Sequence, residues 1–128
     1  MVIDTSAIVA ITASEPEAVS FQDKIIRDPV RLISAVTWLE AAIVLEARFG
    51  EAAAGEFDLW LHTAGFERVA ANTEQTDVAR WAWQRFGKGR HPAGLNFGDC
   101  FSYALSMTRG EPLLFKGNDF ALTDVVPA

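Results

Sequence analysis

The 128 residues, half of them hydrophobic and 22% charged, exclude a disordered tail or linker and suit one domain over residues 1–128. A single cysteine, Cys100, excludes an intramolecular disulfide and a zinc site built from four cysteines, and with only His62 and His91 beside it any metal must be a hard one held by carboxylates. A net charge of −6 argues against a protein that coats nucleic acid electrostatically, though not against an enzyme that touches a few phosphates.

The chain starts Met1-Val2-Ile3-Asp4, with no basic region and an early acid, so no signal peptide is expected. No apolar run approaches the ~18 residues of a membrane span. The expectation is a cytoplasmic protein without a membrane partner. Charge is unevenly spread: residues 1–79 carry 13 acids and 5 bases, whereas residues 78–98 contain no acid and hold Arg80, Arg85, Lys88 and Arg90.

In chain order, Val2 and Ile3 form a short strand that ends at Asp4, with turn-prone Thr5 and Ser6 behind it. Residues 7–12 are apolar, and 15–26 read as a helix that stops before Asp28-Pro29. Residues 31–35 are the next strand; 36–49 form a strong helix stopped by Gly50, and 51–64 a second one ended by Gly65. A third strand covers 66–70, a helix 73–86, and a Gly-rich loop 87–94. Asn96 opens a helix that closes at Gly110, residues 112–116 form a fourth strand, and Val125-Val126 suit a short fifth. Strands alternating with helices mean an α/β domain with a mainly parallel sheet of four to five strands.

Ligands of such sheets gather outside the carboxyl ends of the strands. Asp4 follows the first strand and Asp119 follows the fourth through Gly117-Asn118. Taken alone, Asp4 is more simply a helix cap, and Asp119 an Asx-turn residue. Glu40 shares a helix with apolar residues on both faces, so that helix is expected to be mostly buried and its carboxylate to meet a basic residue or a metal. Asp99 completes a capping box with Asn96, yet Asp99, Ser102 and Ser106 also form a polar stripe that faces either solvent or a site.

Together, Met1-Val2-Ile3-Asp4-Thr5-Ser6-Ala7, Glu40 within a helix, Asn96-Phe97-Gly98-Asp99-Cys100 and Leu114-Phe115-Lys116-Gly117-Asn118-Asp119-Phe120 resemble the PIN-domain family. More narrowly, they resemble its VapC-type ribonuclease toxins. The acids stand 36, 59 and 20 residues apart, and the likeness runs from residue 1 to Val125-Val126. The resemblance implies a Rossmann-like α/β/α sandwich and Mg²⁺- or Mn²⁺-dependent endonuclease activity on RNA. It also implies a cognate antitoxin and a homodimer. The family's acidic quartet maps onto Asp4, Glu40, Asp99 and Asp119.

The chemistry suits that assignment. Two carboxylates ~4 Å apart repel by roughly 4 kcal/mol at an effective dielectric near 20, so four of them need cations or protons. We expect Asp4, Asp99 and Asp119 to hold the metal and Glu40 to hold or orient a water. Thr5 or Ser6 should brace Asp4, with Asn118 beside Asp119. Arg85, Lys88, Arg90 and His91, interleaved with Trp81 and Trp83, are candidate RNA contacts; the competing view makes the tryptophans core and the arginines solvated. Trp38, Phe49, Phe57, Trp60 and Leu61 exceed what one small core needs and suggest an interface. Cys100 reads as an inert core residue. Two rival readings are a silent RNA-binding or interaction module and a phosphatase-like hydrolase with Asp4 as nucleophile. The second is disfavoured because Ser6 stands where its further Asp belongs.

Overall fold

The computed structural model describes residues 1–128. Four short strands, β1 (Val2–Ile3), β2 (Leu32–Ser34), β3 (Glu67–Val69) and β4 (Leu113–Leu114), form one parallel sheet in the order β3-β2-β1-β4. Val2 lies opposite Leu32 and Leu113, and Ile33 opposite Arg68. Helices α1 (Thr5–Thr12), α2 (Ala18–Arg27), α3 (Ala35–Phe49), α4 (Ala52–Thr63), α5 (Thr73–Phe86) and α6 (Phe97–Arg109) cover the sheet.

Alternation along each strand splits the core in two, because successive side chains point to opposite faces. Val2, Leu32 and Leu113 join α5 and α6 residues such as Ala82, Phe86, Tyr103 and Leu105 on one face. Ile3, Ile33 and Leu114 join Ile8, Phe21, Ala41, Leu45 and Phe57 on the other. The α/β sandwich expected from the element order is what forms.

Three local differences have physical reasons. The helix expected from residue 15 starts only at Ala18, because Glu15 and Glu17 pair with Lys116 and Ser14 takes φ 52° to turn the chain. Val125-Val126 do not form a fifth strand. The tail meets β4 at a single bridge, Leu113 opposite Pro127, with Leu113 N–H donating to Val126 and Ala128 N–H to Leu113; proline has no N–H to continue the ladder. Helix α3 is not mostly buried either. Its inner stripe is Thr37, Ala41 and Leu45, while Ile43 is 60% exposed and Leu39 and Phe49 are also exposed. A sheet of four strands covers one side of α3 and leaves the other to solvent.

Candidate functional site

The segments that follow β1 and β4, helix α3 and the N-terminus of α6 meet at one cleft of about 410 Å³, lined by Asp4, Glu40, Asp99 and Asp119. Asp4 follows β1 in extended conformation and is the N-cap of α1. It is 2% exposed and has three donors. Ser6 gives Oδ2 its backbone N–H at 2.9 Å and its hydroxyl at 2.6 Å, and Ser102 Oγ donates to Oδ1 at 2.7 Å. Ser102 spends its one proton on the acceptor-only carboxylate, so Thr37 Oγ1, 2.9 Å away, donates to Ser102. Ser6 Oγ in turn accepts the Lys116 N–H at 3.0 Å. A cap and a site residue are thus the same side chain.

Ser34 caps α3 and starts the helix that carries Glu40. Thr5 Oγ1 donates to Glu40 Oε2 at 2.6 Å, so Thr5 braces Glu40 while Ser6 braces Asp4. Gly98 explains how α3 and α6 approach: a Cβ at that position would overlap the Glu40 carboxylate. Burial, with Asp4 nearby and against the bond from Thr5, holds the Glu40 carboxyl above its ordinary range.

Asp99 closes the expected capping box, accepting the Asn96 N–H at 2.8 Å while Asn96 Oδ1 accepts the Asp99 N–H at 2.9 Å. Burial first, and then the negative neighbours Asp4, Glu40 and Asp119, push its carboxyl up to about 7. Asp119 is exposed at the start of the 3-10 turn Phe120–Leu122, and its side chain caps nothing there. Asn118 is exposed and braces none of the acids with a side-chain hydrogen bond, unlike Thr5 and Ser6.

None of the four acids makes an ion pair. Lys116 lines the cleft but is spoken for by Glu15 and by Glu17, 3.2 Å away. Arg48, also on the cleft wall, pairs with none of the acids. Neither cation was among the expected site residues, although Lys116 stands three residues before Asp119 and Arg48 two helical turns beyond Glu40 on α3. No three His, Cys, Asp or Glu side chains close into a preassembled coordination sphere. Uncompensated carboxylates with free oxygens nonetheless suit a hard cation that keeps several of its waters.

The four candidate RNA contacts are not drawn to the acids. Arg85 Nη1 pairs with Asp124 at 3.2 Å, and its guanidinium lies 5.0 Å from the Trp81 ring and 4.9 Å from Phe86. Tyr103 holds the other oxygen of Asp124 at 2.7 Å, so Arg85 helps tie down the C-terminal segment. His91 sits edge-on to Phe86 at 5.2 Å and accepts the Ala93 N–H, while Arg90 lies 6.0 Å from the Trp83 ring. Lys88 lines a separate groove between α5 and α6. Trp81 and Trp83 are both part-exposed rather than core.

Cys100 is buried, and burial raises its thiol to about 11, which makes it inert. Of the surplus apolar residues, Phe57 and Leu61 are core. Phe49 and Trp60, with Ile8, Ile11 and Leu45, line an open groove between α1, α3 and α4. Trp38 is half-buried, and its indole N–H donates to Asp58 at 2.7 Å.

The model of the family described as PIN domain matches residues 1–126. The chain is 58% identical over 125 residues to Ribonuclease VapC of Mycolicibacterium smegmatis, covering 98% of this chain and 97% of that protein. It is 54% identical over 125 residues to Ribonuclease VapC30 of Mycobacterium tuberculosis, covering 98% and 95%. Among solved structures, Mycobacterium tuberculosis VapC20, described as a sarcin-ricin loop cleaving toxin, matches with a TM-score of 0.78 at 19% identity over 99% of this chain and 97% of that one. A toxin–antitoxin complex from Klebsiella pneumoniae matches with a TM-score of 0.75 at 18% identity, over 99% and 95%. The fold and the sequence agree: the chain belongs to the PIN-domain family, within its group of VapC ribonucleases.

Proposed function

We propose that the chain is a metal-dependent endoribonuclease and the toxin half of a toxin–antitoxin pair, with Mg²⁺ as cofactor and Mn²⁺ able to substitute. The observation that carries this reading is the cleft itself, where Asp4, Glu40, Asp99 and Asp119 face one another with no ion-pair partner. The names of the similar ribonucleases support it.

Asp4, Asp99 and Asp119 are the residues to hold the cation. When bound, a divalent cation supplies a more acidic water and neutralises charge on the phosphate. Ser6 and Ser102 fix both oxygens of Asp4, so its orientation is set before anything binds. Asp99 spends one oxygen on its own helix cap and keeps the other for the cleft. Glu40, raised by burial and held by Thr5, is suited to take a proton from the attacking water. Arg48 is placed to meet the substrate phosphate.

Two partners belong to the same proposal besides RNA. The solved structures of similar fold include a toxin–antitoxin complex and VapBC2 from Rickettsia felis bound to a promoter DNA fragment. The open groove of Ile8, Ile11, Leu45, Phe49 and Trp60 shares helices α1 and α3 with the carboxylate cleft, which suits an antitoxin tail that covers both. A homodimer would cover Leu39 and Ile43 on the outer side of α3. No helix is long and apolar enough to cross a membrane, and a cytoplasmic location is part of the proposal. The phosphatase-like alternative gains nothing, since Ser6 is committed to bracing Asp4. The test is incubation with a mixed RNA pool in Mg²⁺, Mn²⁺ or EDTA, for the wild type and Asp99→Asn. Cleavage confined to the wild type with metal is expected; metal-independent cleavage, or none, overturns the reading.

A further inference from the structure

A second groove, of about 530 Å³, opens between α5 and α6. Asn96, the N-cap of α6, lines both this groove and the carboxylate cleft, so the two adjoin at that residue. At their junction Phe97 leaves 73% of its surface in water, although a ring of that size is normally covered. Its ring lies edge-on to Phe101, with centroids 5.2 Å apart, and leaves a face open to solvent. Trp83 contributes a second part-exposed ring.

Charge selects the occupant. Arg80 and Lys88 line the groove, neither makes an ion pair, and no acid lines it. This is the acid-free stretch of a chain with net charge −6. The apolar groove beside α4 carries Glu56 and no cation, so it has no such preference. A flat aromatic face beside unpaired cations is the combination that takes a base and its phosphate.

We propose, resting on the ribonuclease reading, that this groove is a nucleobase subsite for single-stranded RNA. One unstacked base lies on Phe97, the adjoining phosphate meets Lys88 and Arg80, and the strand runs past Asn96 into the carboxylate cleft. Phe97 is then a binding residue that selects unpaired RNA, because a base within a duplex has no free face to offer.

The test is fluorescence anisotropy with a labelled single-stranded oligoribonucleotide of about 12 nucleotides and mixed sequence, in EDTA to prevent cleavage. Phe97→Ala should weaken binding on the order of tenfold and Phe97→Tyr by less than about twofold, while the affinity for duplex RNA is the same in all three. When a single abasic residue is moved along the oligonucleotide, one position should erase the difference between wild type and Phe97→Ala. Lys88→Glu should give a comparable loss and serves if Phe97→Ala does not fold. Equal affinities for wild type and Phe97→Ala overturn the subsite, as does a loss independent of the abasic position. So does a change in self-association by light scattering with RNA affinity intact, which would make the face a contact between copies. If the wild type never cleaves RNA with Mg²⁺ but Phe97-dependent binding persists, the ribonuclease reading falls and the subsite stands. Cleavage that persists with Phe97 irrelevant to binding sinks the subsite alone.

Discussion

Ser102 on α6 donates a 2.7 Å hydrogen bond to Asp4 Oδ1, joining residues 98 positions apart in the chain. Both groups are buried, and Thr37 completes the relay from α3. Partners that orient a metal-holding carboxylate typically matter about 10- to 100-fold. Ser102→Ala should therefore raise the Mg²⁺ concentration for half-maximal cleavage by about that factor, and cost about 1–3 kcal/mol of stability by orphaning two buried groups. A Mg²⁺ titration of the cleavage rate checks this. An unshifted midpoint would mean that the bond only packs α6.

Gly98 gives a sharper separation of fold from chemistry. A Cβ there overlaps the Glu40 carboxylate, which is the flexible end of a long side chain and moves aside easily. Gly98 is the second residue of α6 and has no positive φ, so alanine fits the backbone there without strain. Gly98→Ala should leave the melting temperature nearly unchanged while cutting cleavage as severely as Glu40→Gln. Full activity in a stable Gly98→Ala protein would remove Glu40 from the proposed chemistry.

The acid cluster should be a liability without metal. The Asp99 carboxyl is raised to about 7 in the folded state, whereas an unfolded aspartate titrates near 3.9. Between about pH 4 and 7 the native state binds the extra proton, so this group's contribution to stability falls as pH rises through that window. Asp99→Asn abolishes the slope. The melting-temperature gain of the variant in EDTA should thus be small near pH 4, grow toward pH 7 and then level off, and Mg²⁺ should shrink it. Parallel pH curves for the two proteins would contradict the cluster's repulsion.

Salt dependence should distinguish the basic residues from one another. Arg85 is occupied by Asp124 and by two aromatic rings, whereas Lys88 makes no ion pair. Each phosphate contact to a single strand adds roughly 0.7 to the slope of log affinity against log salt. Lys88→Ala should lower that slope by about this amount, and Arg85→Ala should leave it unchanged but loosen the C-terminal segment. Equal effects at both positions would show that the Arg85 pair opens when RNA binds.

Asp4, Asp99 and Asp119 were legible because each sits just after a strand or where a helix begins, and such ends are marked by caps and turns that local sequence records; Glu40, well inside α3, carries no such mark. The Asp4 cap and the Asn96–Asp99 box both formed as the residues suggested. What supports them was not legible. Ser102 reads as solvent-facing or site-facing with equal ease until the packing of α6 on β1 is known, and the need for a glycine at 98 shows only once Glu40 is seen against it. Helix α3 misled for a related reason. Its apolar residues surround the whole wheel, and only the width of the sheet decides that Leu39 and Ile43 stay outside. Val125-Val126 have strand composition, but Pro127 after them leaves a single bridge.

The groove between α1, α3 and α4 bears on regulation. An antitoxin tail must find apolar surface and also silence four carboxylates, and the structure places the two within one helix pair. Ile8 and Leu45 line the open groove, while Val9 and Val44, next to them on α1 and α3, line the acid cleft. A segment lying in the groove therefore needs only a short extension to reach Asp4 and Asp99. Arginine suits the tip of that extension, since its planar fork pairs two carboxylate oxygens and never loses its charge. The chain expressed alone should arrest growth of its host, and co-expression with its antitoxin should relieve the arrest. A tail peptide with that arginine changed to Glu should still bind through the groove, yet lose most of its inhibition of RNA cleavage. Phe49→Asp should do the reverse, weakening tail binding while cleavage by the free enzyme persists. Isothermal titration and cleavage assays on the same samples read both effects. Should Phe49→Asp leave tail affinity unchanged, the antitoxin docks elsewhere and the groove between α1, α3 and α4 loses its assignment.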